Sequence, residues 1–131
     1  NDTYNANPAS MKASLGVLSS APGRRIAVLG DMRELGLLTE AGHREIGRYI
    51  VEKGIDYLFT VGELARWIGE EARGRGMDSA RIYSYSTNRE AGEKLRSLLR
   101  EGDVVLLKGS RIMALEEVAE SLWEEERGEA P

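Results

Sequence analysis

The sequence predicts an α/β fold in three layers, a doubly wound and mostly parallel sheet with helices on both faces, and a single domain over residues 1–131. Three observations lead there. Short strand-like runs alternate with helical patterns along the chain, the order that right-handed crossovers turn into a parallel sheet. Two of those runs, Ile26-Ala27-Val28-Leu29 and Val104-Val105-Leu106-Leu107, are apolar at every position, as strands covered on both faces are. Glycine stands at or just after three of the four strand ends, where the backbone must turn sharply or let something approach closely.

Each element has a local cause. Asn7 can cap a helix and Pro8 suits its first turn, and Met11, Leu15 and Leu18 then recur at helical spacing until the serine, proline and glycine of residues 19–23 end the run. The first strand follows at residues 26–29. A helix is expected to open at Thr39, with Ile46, Tyr49 and Ile50 inward and Gly54 as its stop. Between strand and helix lie residues 31–38, longer than the roughly 2 to 6 residues usual for such a loop, which makes the loop a candidate site. Tyr57–Val61 is the next strand, and Leu64, Ala65, Ile68 and Ala72 form the apolar stripe of the helix behind it. Ile82–Tyr85, polar at alternate positions, is expected nearer a sheet edge. Thr87 with Glu90 three residues on is a capping-box signature for a helix burying Ala91, Leu95 and Leu98. Residues 104–107 read as a second buried strand, and Leu115, Val118, Ala119 and Leu122 as the inner face of a last helix.

Composition narrows the function. With 41% hydrophobic and 31% charged residues the chain reads as globular, and no apolar run approaches a membrane span or a signal peptide. A net charge of −4 argues against a general polyanion-binding surface, so nucleic acid is not an expected partner. The pairs around Arg24-Arg25 and residues 73–75 read as solvated basic turns, and the acidic residues 124–129 as a fraying tail. The absence of cysteine excludes disulfides and thiol chemistry. The single histidine, His43, has no second ligand at metal-binding spacing and reads as a polar position in the first turn of its helix. Ser110 has no histidine base nearby in sequence, and no phosphate loop or Gly-x-Gly-x-x-Gly turn is present.

What the chain offers is binding groups. In a doubly wound sheet ligands gather beyond the carboxyl ends of the strands, here Gly30-Asp31, Val61-Gly62, Tyr85-Ser86 and Lys108-Gly109-Ser110. Lys108 and Arg111 place two positive charges around a glycine, an arrangement suited to a carboxylate or phosphate and equally readable as a charged turn capping the last helix. On the long loop Asp31 and Glu34, with Met32 between them, form an acidic pair that suits an ammonium group or a cation; in the alternative, Glu34 and Arg33 meet solvent. The polar opening, residues 1–8, sits at a helix N-terminus, either as a capped lead-in or as a site for an anion or polyol. Asp2 is able to accept from ribose hydroxyls, Tyr4 to lie against a flat ring, and Asn5 and Asn7 to present donor and acceptor to a base edge.

Three stretches carry a family resemblance. Asp2-Thr3-Tyr4-Asn5-Ala6-Asn7-Pro8, Gly30-Asp31-Met32-Arg33-Glu34-Leu35-Gly36 and Leu107-Lys108-Gly109-Ser110-Arg111 together resemble, in order and spacing, the C-terminal domain of the Mur ligases. The match is to the branch that adds D-alanyl-D-alanine to UDP-N-acetylmuramoyl-tripeptide, with Thr3 standing where serine is common. The resemblance implies a Rossmann-like domain of an ATP- and Mg²⁺-dependent amide ligase of peptidoglycan synthesis in the bacterial cytoplasm, working through an acyl phosphate. It implies an ATP-contacting role for Asp2, Tyr4, Asn5 and Asn7. It also implies that Lys108, Ser110 and Arg111, with Asp31, Met32 and Glu34 on the same rim, face the dipeptide and the activated peptide. The UDP-binding and central ATPase domains are expected as further domains of the same enzyme and partners of this one, which closes over ATP and is expected to be inactive alone. Two other readings stay open: the equivalent domain of another Mur ligase or of folylpolyglutamate synthase, and a non-catalytic nucleotide-binding or regulatory module.

Overall fold

The computed structural model describes residues 6–112 and 114–116. Its elements run α1 (Pro8–Ser19), β1 (Arg25–Gly30), α2 (Thr39–Glu52), β2 (Tyr57–Val61), α3 (Arg66–Gly74), β3 (Ile82–Tyr85), α4 (Asn88–Leu98) and β4 (Val104–Lys108), with short 3-10 turns at Gly36–Leu38 and Ser79–Arg81. The four strands form one sheet in the order β3-β2-β1-β4, and every pairing is parallel. This is the α/β class expected from the alternation of elements.

The sheet separates two apolar clusters. On one face Ala27, Leu29, Leu58 and Ile82 meet Met11, Leu15 and Leu18 of α1, Ile46 and Ile50 of α2, and Ile68 and Ala72 of α3. On the other, Ile26, Val28, Phe59 and Val61 meet Ala91 and Leu95 of α4, with Ile112 and Leu115 closing the end. Successive residues of a strand point to opposite faces, so a central strand with helices on both sides must be apolar throughout. That is the state of β1, whose residues 26–30 are all buried. β4 reads the same way in sequence but stands at the edge, paired with β1 alone, and Val104 to Leu107 are only half-buried. Its apolar run reflects helices on both faces and not a neighbour on both sides.

Side-chain caps set the starts of α1 and α4. Asn7 Oδ1 accepts from Ser10 N at 2.9 Å while Asn7 N donates to Ser10 Oγ at 3.1 Å, a reciprocal box at α1. Thr87 Oγ1 accepts from Glu90 N at 3.3 Å at α4. Pro8 lies against the first turns of α2, since a Cβ placed on Gly42 would stand 3.3 Å from Pro8 Cγ. α2 leaves the carboxyl end of β1, so the N-terminus of α1 is at the same rim of the sheet as the strand ends.

Two expectations change in three dimensions. Arg24 and Arg25 are clamps and not solvated turn residues. Arg24 Nε and Nη2 donate to the two oxygens of Asp103 at 2.8 and 2.7 Å, while Arg25 Nη1 and Nη2 reach Ser19 O at 2.6 Å and Gly54 O at 2.8 Å. The Asp103 pairing raises the Arg24 guanidinium above its ordinary value, against the opposing effect of burial. His43, expected as a polar position in the first turn of its helix, is fully buried there. Its Nδ1 lies 2.6 Å from Thr39 O, its Nε2 accepts from Met32 N at 3.0 Å, and the Trp67 ring stands edge-on at 6.2 Å. A carbonyl only accepts, so the proton sits on Nδ1 and the neutral ring pins the long loop to α2. The acidic tail and Val118, Ala119 and Leu122 lie outside the described residues.

His43→Leu fills the space but leaves the buried Met32 N–H unpaired, and urea unfolding is expected to show a loss of about 1–3 kcal/mol. Nitrogen chemical shifts of the imidazole are expected to report the Nδ1-protonated neutral tautomer.

Candidate functional site

The carboxyl ends of β1, β2 and β4 are joined through one residue. Asp31 O accepts from Ser110 N at 2.9 Å, and Asp31 Oδ1 accepts from Ala65 N at 2.7 Å, tying the exit of β4 and the β2–α3 turn to the exit of β1. The buried carboxylate is satisfied by that amide and by Arg33, whose Nη2 stands 3.8 Å from Oδ2. Glycine makes the join possible. A Cβ on Gly62 would lie 2.4 Å from Asp31 Oδ1, one on Gly109 2.5 Å from Gly30 N, and one on Gly30 2.7 Å from Ser110 O. Gly62 and Gly109 also take φ of +122° and +124°, the region glycine tolerates. The close approach predicted at these glycines is therefore made by the chain itself.

Beyond the joined ends lies a groove of about 580 Å³. Asp31, Arg33, Glu63, Ser110 and Arg111 line it together with Ser86, Thr87 and Asn88 at the start of α4. Arg33 Nε donates to Ser110 Oγ at 3.2 Å, and Asn88 Nδ2 donates to Arg111 O at 2.6 Å. Arg111 takes φ of +66°. At the end of β3, burial raises the Tyr85 phenol above its ordinary value, with Tyr83 and Glu90 adding to the effect. Two guanidinium groups, two carboxylates and a helix N-terminus together line a wall of mixed sign, suited to a ligand that carries both an anion and a cation.

The sequence-predicted residues divide. Asp31, Ser110 and Arg111 come together in the groove. Met32 is fully buried in the cluster beneath α1 and α2, so its side chain packs in the core and its amide serves His43. Glu34 is exposed at φ of +66° and does not line the groove. Lys108 is buried and aligned with Leu29, which places its side chain on the α1 face of the sheet and off the groove. Asn7 caps α1, while Asp2, Tyr4 and Asn5 lie outside the described residues. Arg33, which the alternative reading gave to solvent, is exposed and also lines the groove, whereas Glu63 and Asn88 were not singled out in the sequence. The available signal for Asn88 was an asparagine just inside a helix that Thr87 already caps. Among the described residues no three His, Cys, Asp or Glu side chains are placed to hold a metal ion, so Mg²⁺ is not assigned to any of them.

Residues 1–111 match the family model described as Mur ligase, glutamate ligase domain. The chain belongs to the Mur ligase family. This Mur ligase chain is 39% identical over 126 residues to the UDP-N-acetylmuramoyl-tripeptide--D-alanyl-D-alanine ligase of Bacillus subtilis, covering 95% of itself and 27% of that protein. It is 40% identical over 125 residues to the Escherichia coli protein of the same name, covering 94% and 26%. Among solved structures it resembles MurF from Acinetobacter baumannii, with TM-score 0.75, 34% identity and coverage of 94% and 27%. It also resembles the MurF ligase of Thermotoga maritima in complex with ADP, with TM-score 0.71, 31% identity and coverage of 98% and 28%. The Mur ligase chain thus spans about a quarter of the length of these curated relatives.

Gly109→Ala in this domain places a Cβ inside the Gly30 backbone at a positive φ. Denaturant unfolding is expected to show a loss of about 3 kcal/mol or more, the scale of combined strain and overpacking, whereas Gly36→Ala, at a positive φ of +58° but with open space around it, is expected to cost only the backbone strain of about 1–2 kcal/mol.

Proposed function

We propose that this chain is the C-terminal domain of an ATP-dependent ligase that joins D-alanyl-D-alanine to UDP-N-acetylmuramoyl-tripeptide in the bacterial cytoplasm. The observation that carries the reading is the match of nearly the whole chain, at 39–40% identity, to two proteins that bear that enzyme's name. ATP use is supported by the ADP complex of the Thermotoga maritima relative. In this reading ATP phosphorylates the tripeptide's terminal carboxylate, and the amine of the dipeptide displaces phosphate from the acyl phosphate to form the amide. Mg²⁺, which would be held with most of ATP by the central domain, would supply neutralisation of the phosphoryl charge.

The residues of this chain bind and position. Arg111, with Arg33 and Ser110, takes the carboxylate of the incoming dipeptide, and the acidic wall of Asp31 and Glu63 favours its ammonium end until the amine is delivered. Lys108, on the α1 side of the same turn, faces the phosphate of the activated peptide. The opening residues Asp2, Tyr4, Asn5 and Asn7 contact the nucleotide. Closure of this domain over the other two excludes water from an acyl phosphate that would otherwise hydrolyse.

Two measurements test the assignment. The isolated chain is expected to form no amide from ATP, tripeptide and dipeptide, and clear turnover by it would overturn this division of labour. In the full-length enzyme Arg111→Ala is expected to raise KM for the dipeptide about tenfold or more, as loss of a charge-assisted pair does, with KM for ATP unchanged. Unaltered dipeptide kinetics would remove Arg111 from the site.

A further inference from the structure

We propose that Asn88 is a positioning residue that holds Arg111 in its groove-facing conformation, an inference resting on the reading of Arg111 as a dipeptide-binding residue. Arg111 is exposed and has a positive φ, a region that disfavours a residue with a Cβ, so something outside the turn must hold it there. The contact that does so comes from 23 positions away: Asn88 Nδ2 donates to the Arg111 carbonyl at 2.6 Å. Ser110, one residue earlier, is fixed twice, by its amide on Asp31 O and by its hydroxyl under Arg33 Nε. The Asn88 bond fixes the next peptide, and between them these contacts set the direction in which the Arg111 side chain leaves the turn.

Asn88 has no evident duty to its own helix. Thr87 already caps α4 and accepts from Glu90 N, and asparagine in a first turn brings no gain in helix propensity. Its amide is also oriented at a cost. Asn88 Oδ1 is buried and finds no hydrogen-bond partner among the described residues. Turning the amide over would set Oδ1 against the Arg111 carbonyl, acceptor to acceptor, so the orientation is dictated by the Arg111 bond and the orphaned oxygen follows from it. Asn88 also lines the groove, which places the tether beside the guanidinium it directs.

Steady-state kinetics of the full-length ligase carrying this domain test the inference, with dipeptide, tripeptide and ATP varied separately. Asn88→Ala is expected to raise the dipeptide KM about tenfold, the worth of one hydrogen bond, and to leave KM for ATP and for the tripeptide unchanged. Asn88→Asp keeps the shape but at neutral pH has no N–H to give, and is expected to do at least as much. In an Arg111→Ala background Asn88→Ala is expected to add nothing, because its effect passes through Arg111. An equal effect on all three substrates, or one that persists in full on top of Arg111→Ala, would mark a residue that merely holds α4 in place and would overturn the proposal. If Arg111→Ala raises the dipeptide KM and neither Asn88 variant does, this inference alone falls. If Arg111→Ala leaves the dipeptide KM unchanged, the reading of the groove falls and this inference with it.

Discussion

The rim of this domain depends on the hydrogen bonding of Asp31. Its carbonyl receives the amide of Ser110 and its carboxylate receives the amide of Ala65, so one residue at the end of β1 fixes the exits of two neighbouring strands. A buried carboxylate is tolerated only when it is paired, and here the pairing is also what shapes the groove. Gly30, Gly62 and Gly109 are the counterpart of that join. They leave out the side chains that would otherwise stand where Asp31 and its neighbours must pass.

The two ends of the sheet carry different loads. At the amino ends of the strands, Arg24 grips Asp103 through two parallel bonds and Arg25 gathers carbonyls from the α1 and α2 termini, so β1 and β4 start in register. At the carboxyl ends most contacts are single hydrogen bonds between loops. The Lys108–Arg111 turn uses both faces of the sheet, with Lys108 beneath α1 and Ser110 and Arg111 in the groove beside α4. A turn of this kind places cationic side chains on two different faces of the sheet within four residues.

Membership of the Mur ligase family and the geometry of the rim bear on each other without being the same finding. The family match covers the chain through Arg111, and the groove is defined by side chains at the strand ends and the start of α4. Mixed charge at its wall favours a small zwitterion over a polyanion, in keeping with the chain's overall negative charge.

The sequence by itself determined the elements and their order. Asn7 and Thr87 announce helix starts, the fully apolar run of β1 announces a strand covered on both faces, and the three motifs announce the family, because caps, periodicity and motif spacing are local properties written within a few residues. Only the tertiary structure decided that β4 is an edge strand, that His43 is buried between Met32 and Thr39, that Met32 belongs to the core, and that Lys108 and Arg111 face different sides. It alone brought Asn88 to Arg111 and Asp31 to Ser110. Those pairings join residues 23 and 79 positions apart, and their existence depends on strand order and crossover path, which no local pattern of residue types encodes.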